Sequence, residues 1–173
     1  MPSSETSARR LFNRAERKRA ASGFPGAIPL YLEAKRLSPR DKGLKLDCLF
    51  ALGDTYRMVG GFDRAASNYR QAHRLSLATD DEPRAYDALV GLGLSLRATS
   101  DYRQAIRLFN RSLKGYGALK DRAGRAFTLW ARAGALRLKG DLKGAIEGFK
   151  ESRSIFKRLG DRSGVGYCLT GLG

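Results

Sequence analysis

The sequence predicts an all-α chain built as a stack of antiparallel helix pairs, and three observations carry that expectation. The first is a pattern that recurs four times: a bulky residue, Ala three on, an aromatic four further, then a small residue after another three. It reads Phe24, Ala27, Tyr31, Ala34, then Phe62, Ala65, Tyr69, Ala72. Tyr102, Ala105, Phe109, Ser112 follow, and Leu142, Ala145, Phe149, Ser152 complete the series. Successive copies are offset by 38, 40 and 40 residues. Spacings of three and four put each set on one helical stripe, and a fixed period of about 20 to 50 residues marks a repeat array. The second observation is Asp41, Asp81, Asp121 and Asp161, spaced by 40, each ahead of a helical stretch. An aspartate there can accept from free N–H groups and meets the positive end of the helix dipole. The third is the lack of alternating apolar and polar runs, which argues against strands.

Taken in order, residues of about 5–21 and 24–38 form the first pair, its first helix strongly basic. About 41–59 and 62–79 form the second, 82–99 and 102–119 the third, and 122–139 and 142–159 the fourth. Gly60-Gly61, Ser100-Asp101 and Gly140-Asp141 mark tight turns within pairs. Pro83 suits a first helical turn, where a missing N–H costs little. Gly53, Gly93 and Ala133 place small residues in the first helices, where a bulky residue of a neighbour can fit over them. The chain reads as a single repeat domain over 1–173, with repeats at about 5–39, 41–79, 81–119 and 121–159 and a partial one at 161–173. That last helix breaks off at its Leu172-Gly173 signature, so the chain is expected to be a fragment of a longer protein.

Lysine and arginine number 33 against 17 acids, a formal charge of +16. Such a field favours an acidic protein, nucleic acid or an anionic surface, although a basic surface also serves solubility alone. Cys48 and Cys168 share a slot three repeats apart, too far for a disulfide, and read as small buried residues. With no secretory leader pattern and no apolar run of about 20 residues, the expectation is a cytoplasmic protein with no membrane partner.

The residues Leu52-Gly53-x-x-Tyr56, Ala65, Tyr69 and Ala72, with their counterparts 40 on, resemble the tetratricopeptide repeat family in its longer variety of about 40 residues. The early Trp of that family is absent: Leu11, Leu49, Leu89 and Leu129 take its slot. The resemblance implies a right-handed superhelix whose first helices line a concave face. On those helices Arg19, Arg57, Arg97 and Arg137 share one slot. Three residues earlier stand Glu16, Asp54, Leu94 and Gly134, and four before those Phe12, Phe50, Val90 and Trp130. The expected partner-binding set is therefore Arg57, Arg97 and Arg137 as a cationic rail, with Asp54, Leu94, Phe50 and Trp130 beside it. Arginine forks suit carboxylates and aromatics anchor apolar side chains.

Catalysis is not expected. His73 is the one histidine, and two distant cysteines cannot complete a metal site with it. Gly91-Leu92-Gly93 and Gly164-Val165-Gly166 fall in helices with no preceding strand, so neither is a phosphate loop. No cofactor is expected. The function read from these features is a protein–protein interaction scaffold holding an acidic and apolar partner segment. The alternatives are a sensor or regulatory segment of a larger signalling or transcription protein, and nucleic-acid binding through the basic surface. Self-association through the uncapped C-terminal end is a further expectation.

Overall fold

The computed structural model describes residues 4–173, with side chains from Thr6 onward. Among these residues the chain forms nine helices and no strand: α1 (Ser4–Ala20), α2 (Phe24–Leu37), α3 (Lys42–Met58), α4 (Phe62–Leu77), α5 (Glu82–Ala98), α6 (Tyr102–Ala118), α7 (Arg122–Lys139), α8 (Leu142–Leu159) and α9 (Arg162–Leu172). None is long and apolar enough to cross a membrane.

Local chemistry sets the ends. Asp41, Asp121 and Asp161 accept from the N–H groups of Leu44, Gly124 and Gly164 at 2.8, 2.9 and 2.9 Å, and Asp81 accepts from Arg84 at 3.2 Å. Asp101 and Asp141, expected only as turn residues, cap α6 and α8 in the same way through Gln104 and Gly144. Seven junctions close alike. The N–H groups of Ser22, Gly60, Asp80, Ser100, Lys120, Gly140 and Gly160 donate three residues back, and the next N–H donates five back. This is the Schellman arrangement, and each of the seven has a left-handed φ. The α2–α3 junction differs because Pro39 has no N–H to give; there Ser38 Oγ donates to the Ala34 carbonyl at 2.8 Å.

The chain divides into two compact units, 1–91 and 92–173, with the boundary inside α5. In the first, α1 packs on α2, α2 on α3 and α3 on α4. In the second, α6 packs on α7, α7 on α8, and α9 on both α7 and α8. The repeat stripe is the core of each: Ala27, Tyr31, Ala65, Tyr69, Ala105, Phe109, Ala145 and Phe149 are all buried. The Tyr69 ring sits between two glycines. A Cβ on Gly53 would come within 2.7 Å of it, and one on Gly91 within 2.3 Å. The seat thus has two halves, the slot of Gly53 and a second slot two residues earlier in the next first helix. In the second unit Phe109 lies against Gly93 and Phe149 against Gly171. Burial pushes the Cys48 thiol up to about 12, and Cys168 Sγ donates to Ser152 Oγ at 3.2 Å. Both are free buried residues. His73 is half-buried, with Nδ1 3.0 Å from the Ala85 carbonyl it donates to.

Candidate functional site

Each unit carries its own groove; the first helices supply both, joined in the second unit by Phe149 of α8. In the first unit a groove of about 340 Å³ is lined by Phe12, Glu16, Arg19, Asp47, Phe50, Asp54, Arg84 and Asp87, among others. Its arginines are already occupied. Arg19 donates to Glu16 at 2.8 Å and to the Tyr31 hydroxyl at 3.1 Å, while that hydroxyl donates to Glu16. One repeat on, the Tyr69 hydroxyl donates to Asp54 at 2.6 Å and Arg57 stands 3.8 Å from the same carboxylate. Arg84 pairs with Asp47 at 2.9 Å. Burial alone would raise the Glu16 carboxyl, but hydrogen bonds from Arg19 and Tyr31 and the Arg19 charge hold it below the usual range. Burial and the neighbouring carboxylate push both phenols up. Phe50 is half-buried and meets the Tyr69 ring edge-on, centroids 6.3 Å apart.

In the second unit a groove of about 260 Å³ is lined by Arg97, Trp130, Gly134, Arg137, Leu138, Phe149, Tyr167, Thr170 and Gly171, with no carboxylate among them. The triad of the first unit cannot form here. Leu94 and Gly134 replace the acids, and Phe109 and Phe149 replace the tyrosines. Arg97 instead lies over the Trp130 ring, 5.5 Å from its centroid, and donates to the Ala131 carbonyl at 3.4 Å. Arg137 lies over Phe149 at 5.9 Å and donates to the Gly171 carbonyl at 3.4 Å. Stacking of this kind holds a guanidinium flat on a ring. Trp130 also touches Phe127 and Tyr167, with centroids 5.3 and 5.8 Å apart. Phe127 and Tyr167 are exposed.

Of the expected binding residues, the structure gathers Arg97, Arg137 and Trp130 in one groove. It places Asp54 and Phe50 in the other, with Arg57 3.8 Å from Asp54. Leu94 is a core residue, 5% exposed. Tyr167 was missed. The signal for it is periodic: Asp47, Asp87, Phe127 and Tyr167 stand 40 apart, acidic in the first unit and aromatic in the second.

Residues 84–158 match the tetratricopeptide repeat model, and the fold of the chain is that of solved TPR-like helical arrays. No curated protein matches the sequence. Among solved structures, aspartyl phosphate phosphatase F from Bacillus subtilis superposes with a TM-score of 0.86 at 14% identity, over 97% of this chain and 45% of that one. A Rap protein complexed with competence and sporulation factor gives 0.83 at 17%, over 94% and 46%. A putative kinesin light chain from Podosopora anserina, with nearly identical TPR-like repeats, gives 0.75 at 15%, over 89% and 76%. The chain spans less than half the length of the first two, and at these identities the likeness is one of fold.

Proposed function

We propose that the protein is an interaction scaffold whose second-unit groove takes a short acidic and apolar segment of a partner protein. The observation that supports this is a groove with two guanidinium groups, three aromatic rings and no carboxylate in its lining. Arg97 and Arg137 would meet carboxylates through forked hydrogen bonds, while Trp130 and Tyr167 would hold an apolar side chain. Arg57 and Asp54 would compensate each other in the first unit, so the anion-binding role narrows to the second. Phe50 belongs to the wall of the first groove.

An array of peptides of about ten residues, composed of Asp, Glu, Leu and Phe, supplies probes for anisotropy titration. Arg97→Glu with Arg137→Glu should abolish most binding and its salt dependence, since charge contacts at a half-solvated groove are screened over about 8 Å at physiological ionic strength. Trp130→Ala should mainly speed dissociation. The charge-matched control is Arg103→Glu with Lys150→Glu on the second helices. Equal loss in the control would reduce the effect to net charge. Tighter binding of a single-stranded RNA, lost equally in both variants, would replace this reading with nucleic-acid binding.

A further inference from the structure

The outer face of α6 differs from the same face of the other second helices. Arg103, Arg107, Arg111 and Lys114 are exposed there, and α6 carries no acid. At 3.6 residues per turn the four fall within an arc of about 80°, with Asn110 at its rim, and extend over about 16 Å of helix. None of the four side chains has an ion pair or hydrogen bond among the described residues. Arg132 of α7 adds a fifth cation: it donates to Asn110 Oδ1 at 3.0 Å, and its buried Nε has no partner. The nearest acid in sequence, Asp101, is bonded to the Gln104 N–H, and Glu151 of α8 pairs with Arg125. The repeat frame does not demand this row. In the slots of Arg103, Arg107, Arg111 and Lys114, α4 holds Asp63, Ser67, Gln71 and Arg74, and α8 holds Lys143, Glu147, Glu151 and Ser154. Like charges at i, i+4 weaken a helix. The α6 row is thus self-repelling, with no carboxylate of its own helix to relieve it; an external polyanion would.

We propose that this face binds the phosphate backbone of a nucleic-acid duplex without reading its sequence. Arginine forks suit phosphate oxygens. A duplex carries one charge per about 1.7 Å of axis, so about 16 Å of it offers about ten phosphates to the five cations. The make-up of the face selects this occupant. A partner protein is held through buried aromatic or apolar anchors, and the arc has no large apolar side chain. A single strand stacks its bases on aromatic rings, and the arc has none. A peripheral membrane helix sinks an apolar face into the lipid beside its cations, which this face lacks. The surface is separate from the groove, whose lining includes no residue of α6.

The test uses the full chain and a labelled DNA duplex of about 20 base pairs, titrated by anisotropy between about 50 and 200 mM salt. The logarithm of the binding constant should fall with that of salt at a slope of about −4, as four to five phosphate contacts require. Arg107→Ala with Arg111→Ala should weaken binding by about tenfold or more and flatten the slope by about two. Alanine is the strongest helix former and both positions are exposed, so that variant keeps its fold. Arg107→Lys with Arg111→Lys should keep the slope. Two control pairs, Lys143→Ala with Lys150→Ala on α8 and Arg97→Ala with Arg137→Ala in the groove, should each change affinity by less than about threefold. Duplexes of unlike sequence should bind alike. A duplex RNA of the same length tells which nucleic acid is preferred, and binding of either meets the proposal. Absence of binding at the lowest salt, an equal loss in either control pair, or an unchanged slope in the alanine variant would overturn it. So would tighter binding of a single strand, of polyglutamate or of phosphatidylserine vesicles.

Discussion

In the first unit, Arg19 and Arg57 each stand by a carboxylate three residues earlier, with a tyrosine hydroxyl bonded to that same carboxylate. In the second, the same slots set Arg97 and Arg137 on aromatic rings, with Leu94 and Gly134 where the acids were. Composition follows the same division. The first unit carries 16 basic residues against 11 acids, the second 17 against 6. Four of those six, Asp101, Asp121, Asp141 and Asp161, are bonded to backbone N–H groups as helix caps. One repeat frame therefore carries two grooves, one whose arginines stand beside acids and one cationic and aromatic. Carboxylates stand in the lining of the first groove and not in that of the second.

The largest expected effect probes how each unit seats its aromatic. Tyr69 is clamped by Gly53 and Gly91 and held at its hydroxyl by Asp54, so it has little room to give. Gly91→Ala should cost about 2 to 3 kcal/mol by overpacking, read as a fall in denaturant midpoint. A change within about 0.5 kcal/mol would show that the ring moves freely. Next comes Tyr69→Phe, which removes the bond to Asp54. Because that carboxylate is 46% exposed and regains water, the cost should be about 1 kcal/mol. The same variant should leave amide exchange in 92–173 unchanged.

The smallest effect is the pH response. Glu16 is held below the usual carboxyl range in the folded protein, so its contribution is present above the unfolded value of about 4.3 and is lost as pH falls through the folded one. Hydrogen exchange at falling pH should therefore loosen α1 and α2 before α7 and α8. Glu16→Gln should remove that difference, and simultaneous loosening in the wild-type protein would contradict it.

Much of the fold was legible in the chain. The Ala and aromatic stripe and the four aspartates placed every helix to within about two residues, because helix ends and core faces are set by local spacing and capping. The second half of the Tyr69 seat, at Gly91, was not, since it depends on how the next first helix lies on the ring. The arginine ladder was visible as a period, but its chemistry was not. Arg57 stands by Asp54 within α3, three residues apart, whereas the stacking of Arg97 on Trp130 is decided by side-chain geometry across helices. The aspartate-to-aromatic change from Asp47 and Asp87 to Phe127 and Tyr167 was present at the same period, three residues before the slot of Phe50 and Trp130.

The most direct test removes charge from each groove in turn. With the tightest acidic peptide from the array, Arg97→Ala with Arg137→Ala should weaken binding by about tenfold or more, and Arg19→Ala with Arg57→Ala by less than about twofold. Equal losses, or a greater loss in the first unit, would contradict the assignment of anion binding to the second.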